Sequence, residues 1–274
     1  MPRKKNQLKA VDMRDSVRVV TKNSFITLSG MQKLSLKARK LLYIAISQAR
    51  KTDKEFYEFR ITPLEFADKM GVSVSHVYEE ANSITDELMK LYLTAEKPGE
   101  QNFEKYNVFS YIRFTADSDI EFKVNTDMAV FLLGITENFT QPLLNDFVQM
   151  KSPYSIAIWH LMQREMKSQK PYASKTFEFD LMLDELREVT GTADQETYNI
   201  LSHFKNKILD KAIREIKDNC DVDISYIDIK YGRVVKGFHF TAINPNTKRL
   251  METNPTFIEE FERRQKVLEM MKNK

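Results

Sequence analysis

Six side chains on one stretch of this chain are of the kinds that read nucleic acid. Asn199, Ser202, His203, Asn206, Lys207 and Arg214 fall within residues 196–217, ETYNILSHFKNKILDKAIREIK. Short amides and hydroxyls hydrogen-bond base edges, and long cations meet phosphates. In the same stretch Leu201, Phe204, Ile208, Ala212 and Ile216 recur at three- and four-residue steps. That spacing lines one face of an α-helix and leaves the polar set on the other. Lys205 falls near the edge of the apolar face, where it either reaches a phosphate or snorkels along the core. Directly afterwards, residues 222–229 and 234–240 are rich in strand formers and flank Tyr231-Gly232. The tip of that hairpin carries Lys230, Arg233 and Lys236. A helix with a polar-basic outer face followed by a basic-tipped hairpin is the second half of a winged helix, and its chemistry is recognition of duplex DNA. An amphipathic helix with lysines on its wet face is more often merely solvated. Repetition along the chain decides for the sharper reading.

Groups for covalent chemistry are not gathered in the same way. No strand is followed by a glycine-rich phosphate loop. His76, His160, His203 and His239 are far apart and none is paired at metal-ligand spacing, so no metal site and no histidine-clustered nuclease is expected. Cys220, the single cysteine, excludes an internal disulfide and lies beside Asn219 and Asp221, without a cation to draw out a thiolate. Glu79-Glu80 and Glu259-Glu260 are neighbours on helices and do not face one another. The expectation is a protein without enzymatic activity and without a cofactor.

The elements that must position the polar helix can be read from the rest of the chain. At 274 residues about two domains are expected. With 42% hydrophobic residues, seven glycines and eight prolines, the sequence is that of an ordinary foldable chain. The net charge of +3 does not by itself demand a polyanion, so clustering of charge has to make the case. The start Met-Pro-Arg-Lys-Lys has no apolar run behind it, and residues 128–135 are too short an apolar run to cross a bilayer. A soluble, cytoplasmic protein with no membrane partner is expected. Residues 1–22 read as a basic, partly mobile arm, with Arg3, Lys4, Lys5, Lys9, Arg14, Arg18 and Lys22 against Asp12 and Asp15.

A helix begins after Ser35, a short strand covers residues 56–61, and Thr62-Pro63 opens a helix that ends at Gly71. A second helix is expected over 73–93, then a hairpin from 108–114 and 120–124. The order then recurs: a helix over 153–168, a strand over 176–181, a short helix ending at Thr190-Gly191, and the polar helix and hairpin. The copies align at a fixed offset, with Glu58-Phe59-Arg60-Ile61 over Glu178-Phe179-Asp180-Leu181, Gly71 over Gly191, and Ile84 and Leu88 over Phe204 and Ile208. The fold expected is α+β, two tandem winged-helix domains related by an internal repeat. The divisions are an arm over 1–22, a first domain over 23–135, a second over 136–243 and a helical tail over 244–274. Phe139, Leu143, Leu144 and Phe147 imply a packed helical connection between the domains.

Two blocks carry a family resemblance. One is VVTKNSFITLSGMQKLSLKARKLLYIAISQAR, residues 19–50. The other starts at Tyr198 and runs through Phe204-Lys205, Ile208-Leu209, Ala212-Ile213, Glu215-Ile216, Ile224-Ser225-Tyr226 and Gly232-Arg233 to Phe238 and Phe240. Over about residues 17–243 the chain resembles the iteron-type plasmid replication initiator (Rep) family. The resemblance implies a protein that binds directly repeated origin sequences (iterons), helps open the origin and recruits the host replication initiator and replicative helicase. It also implies a monomer–dimer balance, with the dimer repressing its own gene through contacts of the first domain. It places Asn199, Ser202, Lys205, Asn206 and Lys207 in the second recognition helix and Arg233 and Lys236 on its wing. In the first domain it places Ser75, His76, Glu79 and Asn82 in the matching helix and Lys105, Arg113 and Lys123 on the wing. Asn199 and Asn206 stand where the most basic members carry arginine, which favours adenine over guanine. The same fold would also suit a transcriptional regulator with no replication role. A nicking initiator would instead form a tyrosyl–DNA adduct, and none is expected.

Overall fold

Ser35 starts the central helix of the molecule. Its hydroxyl accepts from the Ala38 backbone N–H and donates to Glu87 (2.7 Å), closing one end of α1 (Leu36–Ser47). Ala38, Arg39 and every residue from Leu41 to Ser47 are buried, so α1 is wrapped on nearly all sides. The computed structural model describes residues 9–12, 17–19, 21–26, 28, 30–49, 53, 55–56, 58–96, 103–114, 119–133, 139–140, 142–168 and 176–243.

After α1 come β1 (Glu58–Ile61) and α2 (Pro63–Met70). Thr62 and Glu65 close a capping box at the start of α2, Pro63 occupies the first turn, and Gly71 ends the helix at φ 68°. A short 3₁₀ turn, Val74–His76, leads into α3 (Val77–Met89), which turns Val77, Ala81, Ile84 and Leu88 inward. The helix is shorter than the 73–93 expected from sequence, because a strand begins at Tyr92 and turns Leu93 inward, next to buried Leu91. That strand, β2 (Tyr92–Glu96), pairs with β3 (Phe103–Asn107) in a ribbon of its own. The expected hairpin follows as β4 (Phe109–Phe114) and β5 (Ile120–Val124). Strand β5 also pairs with β1, and Lys9–Ala10 adds to β1 in parallel, giving a four-stranded sheet.

The second copy repeats this plan. It comprises α4 (Leu144–Gln149) as the connection, α5 (Pro153–Ser168), β6 (Thr176–Met182), and α6 (Leu183–Thr190). Then follow α7 (Glu196–Asn199), α8 (Leu201–Phe204), α9 (Asp210–Asn219), and the hairpin β7 (Asp223–Tyr231) and β8 (Val234–Ile243). Strand β8 lies between β7 and β6, as β5 lies between β4 and β1. Gly71 and Gly191 hold matching left-handed helix ends, both at φ 68°. The pair Phe59–Phe122 in one sheet corresponds to Phe179–Phe240 in the other.

One hydrophobic core runs through both copies. Residues 139–140 pair antiparallel with Thr21–Lys22, and Leu144 N–H donates to the Val17 carbonyl. Part of the stretch expected as a mobile arm is thus built into strands. Val11, Val19 and Thr21 are buried and hold it there. The rest of that arm (1–8 and 13–16), the tip of the first wing (115–118) and the expected tail helix (244–274) lie outside the described residues.

At the seam between α1, α4 and α5, Tyr43 stacks on Phe147 at 4.4 Å, and both are fully buried. Burying rings of this size contributes roughly 1.5–3 kcal/mol each. The Tyr43 hydroxyl bonds His160 Nδ1 (2.8 Å) and the Thr21 hydroxyl bonds Nε2 (3.2 Å). A neutral imidazole donates from one nitrogen and accepts at the other, so this pair satisfies it completely. Burial pulls the His160 pKa down to about 3. Arg39, also buried, donates to the carbonyls of Met31 (2.8 Å) and Pro153 (2.9 Å), joining the two copies through backbone groups.

Candidate nucleic-acid interface

The polar stretch identified at the outset is not one regular helix. Helix α7 ends at Asn199, Ile200 takes an extended backbone (φ −75°, ψ 112°), and the chain resumes in α8. Arg187 of α6 makes the break possible. Its Nη2 donates to the carbonyls of Tyr198 (2.8 Å) and Asn199 (3.1 Å), which a helix end would otherwise leave unpaired. His203 Nδ1 lies 3.2 Å from the Thr197 carbonyl and closes the same corner. From Lys205 to Leu209 the helix widens into a π turn, with Asp210 N–H donating to the Lys205 carbonyl. The extra residue in that turn lets Ile208 and Leu209 both enter the core. π turns inserted in α-helices occur often at functional sites.

On the outer side, Asn199, Ser202, Asn206 and Lys207 are exposed. Lys207 forms no ion pair among the described residues, nor do exposed Lys211 and Arg214. Lys205 differs. Its Nζ sits 2.8 Å from Asp228 Oδ1 on β7, over the rings of Tyr226 (5.3 Å) and Phe238 (5.6 Å). Of the two roles open to it in the sequence, the structure gives it the inward one: its ammonium is engaged by a carboxylate 23 residues away. The Tyr226 hydroxyl in turn donates to Asp210 at 2.5 Å. These two bonds tie the helix to the hairpin, so the helix face and the wing are held as one unit.

The wing is a two-residue hairpin. Tyr231 pairs with Val234, and Gly232 at the apex holds φ 63°. Below it the register shifts: Ile229 faces Gly237 while Lys230 faces Val235, leaving Lys236 as the extra residue of a β-bulge. Lys230, Arg233 and Lys236 are exposed and form no ion pair among the described residues. On this copy, therefore, the expected cations are presented outward with no ion pair among the described residues, Lys205 excepted.

The first copy presents a different surface. Ser75 and His76 sit on the 3₁₀ turn and bond one another at 3.3 Å; Asn82 is exposed on α3. Around Asn82, however, the exposed charged residues are Glu79 and Asp86, beside exposed Tyr78 and Ser83, and Lys90 is paired with Asp86 at 3.1 Å. The cations expected on its wing are placed on strands and partly neutralised. Arg113 pairs with Glu121, and Lys123 pairs with Glu58 at 3.6 Å. Lys105 lies not on that hairpin but on the additional ribbon, beside the Phe103 ring. Carboxylates on a helix face repel phosphates, and of the two copies the second carries the more cationic outer surface.

The residues considered for covalent chemistry stand apart among the described residues. The described residues contain no group of histidine, cysteine and carboxylate side chains able to hold a metal ion. Cys220 is buried, and burial raises its thiol pKa, which keeps it protonated. His239 pairs with Asp180 (2.7 Å) on the outer sheet face, remote in sequence from the other histidines. No helix among the described residues is long and apolar enough to cross a membrane. Arg187, which holds the break beside this surface, is not among the residues expected from the sequence. Its only signal was a basic residue in the last turn of α6, four residues before Gly191.

Comparison with known proteins gives this geometry a family. Residues 18–163 match the model described as Initiator Replication protein, WH1, and residues 182–242 the model described as Initiator Rep protein, WH2. Among solved structures, the crystal structure of the Pi initiator protein in complex with iteron DNA is similar. The TM-score is 0.71 at 18% identity, over 85% of this chain and 99% of that one. With two winged helices in tandem and both family models matched in order, this chain belongs to the initiator Rep protein family.

Proposed function

We propose that this protein is a plasmid replication initiator that binds directly repeated origin sequences, and that the second winged helix is its main reader. One observation carries the reading: the exposed row Asn199, Ser202, Asn206 and Lys207 is locked, through Lys205–Asp228 and Tyr226–Asp210, to a wing whose Lys230, Arg233 and Lys236 have no partner among the described residues. The helix lies in a major groove, Asn206 and Ser202 meet base edges, and the wing cations hold the flanking backbone. The similarity to an initiator solved in complex with iteron DNA supports duplex binding here.

The first winged helix contributes backbone contacts and dimerisation rather than base reading, because its α3 face is acidic around Asn82. Ser75 and His76, at the start of α3, and Lys105 on the ribbon are its remaining candidates for phosphate contact. Binding of several copies to successive repeats bends the DNA and destabilises an adjacent A·T-rich segment without any catalytic group. The protein acts in the bacterial cytoplasm, recruits the host replication initiator and replicative helicase, and represses its own gene as a dimer. The domains run over 23–135 and 136–243, with the arm (1–22) and tail (244–274) as accessories.

Footprinting on the DNA flanking the gene tests the reading. Evenly spaced protections at direct repeats beside an A·T-rich stretch are expected. A single protected palindrome with no repeats would favour a transcriptional regulator, and a covalent tyrosyl–DNA product on supercoiled DNA would overturn the non-enzymatic reading.

A further inference from the structure

The wing tip has a feature that phosphate binding does not explain. Tyr231 is 82% exposed and Val234 56% exposed, and the two face each other across the turn as the last register pair. Neither helps to fill the core, and a two-residue turn needs only Gly232 at its positive φ. Large apolar side chains held out in water at a hairpin tip cost solubility unless something covers them. The charge around them selects the occupant. Lys230 and Arg233 adjoin Tyr231 and Val234 in the chain, Lys236 projects from the bulge, and no carboxylate is paired with any of the three among the described residues. Farther down the same sheet face the setting changes, with Asp180 paired to His239 and Glu178 exposed. Ile227 is also exposed there, opposite His239, so among the described residues of this face only the tip sets exposed apolar side chains among cations alone.

Resting on the duplex-binding reading above, we propose that Tyr231 and Val234 form an apolar wedge that enters the minor groove next to the bases read by the helix. The three cations straddle the groove and hold its two phosphate walls. A·T-rich minor grooves are narrow and strongly negative, which draws in cationic tips, and apolar side chains set between base steps part the stack and kink the duplex. The helix supplies register, and the wedge supplies preference for an easily deformed step one groove away. The Lys205–Asp228 and Tyr226–Asp210 bonds between helix and hairpin keep the tip at a fixed offset from the helix.

The test uses the full chain and a duplex taken from the DNA flanking its gene, with binding followed by fluorescence anisotropy across a salt series. Tyr231→Ser and Val234→Ser should each weaken binding about fivefold or more at every salt concentration, with the slope of log K against log salt unchanged. Tyr231→Phe should bind like the parent protein. Replacing adenine by 2,6-diaminopurine at the flanking A·T pairs adds an amino group in the minor groove alone; this should weaken the parent and erase its advantage over Tyr231→Ser. Because both side chains are exposed, thermal unfolding should be unaltered in the variants. Parent-like binding by Tyr231→Ser would overturn the wedge while leaving the duplex reading intact. So would an equal loss on both duplexes, or a change in sedimentation that marks the tip as a contact between copies. A parent protein that binds no flanking duplex would overturn both.

Discussion

Lys205 and Lys207 stand two residues apart, yet they should behave oppositely in a salt titration. The Lys207 side chain is exposed and forms no ion pair among the described residues, whereas the Lys205 side chain is 27% exposed and its ammonium is bonded to Asp228 at 2.8 Å. Each phosphate neutralised by a cation adds about 0.9 to the slope of log K against log salt. Raising salt from about 0.1 M to 0.3 M therefore weakens binding by roughly 2.7-fold per contact, or ~0.6 kcal/mol. Lys207→Ala should remove one such contact, so its deficit against the parent shrinks by about that factor over the same interval. Lys205→Ala combined with Asp228→Ala should leave the slope unaltered, because the pair is neutral as a whole. The double change should instead cost about 1–2 kcal/mol of stability, combining a half-buried ion pair with two ring contacts. Anisotropy titrations at four or five salt concentrations give the slopes, and urea unfolding gives the stability. A slope that falls with the Lys205 pair and not with Lys207 would refute the assignment of inward and outward lysines.

Further outcomes follow from the same geometry. Asn206→Ala should cost about 1–3 kcal/mol at one base position and relax specificity there, read by competition with singly substituted duplexes; Asn82→Ala, on the acidic face of the first copy, should change affinity less than about twofold. Gly191→Ala should destabilise more than Gly71→Ala in urea unfolding. Both sit at φ 68°, but a Cβ at 191 meets Gln32 at 3.0 Å while none lies within 4 Å at 71, and the shared left-handed strain is about 1–2 kcal/mol. Stability should also respond to acid. His160, held down to about 3, takes no proton in the folded chain while the unfolded chain does below its ordinary 6.5, so folding weakens as pH falls through that interval. Asp146, raised to about 6 by burial, works in the opposite direction between 6 and its ordinary 3.8. Asp146→Asn should remove that offset and steepen the acid loss in this window to about 1.4 kcal/mol per pH unit, measured as the shift of the urea midpoint.

What the sequence revealed and what it hid divide along physical lines. Local chemistry was legible: Thr62-Pro63, the matched glycines 71 and 191, and the β-rich runs on either side of Gly232 all act within a few residues. The repeat emerged because two such local programmes have the same order. Hidden were features that depend on partners distant in the chain. The break at Ile200 exists because Arg187 covers the carbonyls of Tyr198 and Asn199, and no periodicity encodes that. The inward turn of Lys205 depends on Asp228, and the π turn on fitting both Ile208 and Leu209 into one core. The ribbon of β2 and β3 escaped because Leu88, Leu91 and Leu93 fit a helical stripe nearly as well as a strand. In the candidate site, residue types were readable but engagement was not. Arg113 and Lys123 look as cationic in sequence as Arg233 and Lys236, yet the first pair faces carboxylates on neighbouring strands.

The central claim is that the second winged helix, and not the first, reads the duplex. Photo-crosslinking from a reactive group placed at position 206 or at position 82, on the DNA flanking the gene, tests it most directly. The account predicts crosslinks from 206 to one base within each direct repeat and none to bases from 82. Base crosslinks from 82, or none from 206, would contradict it.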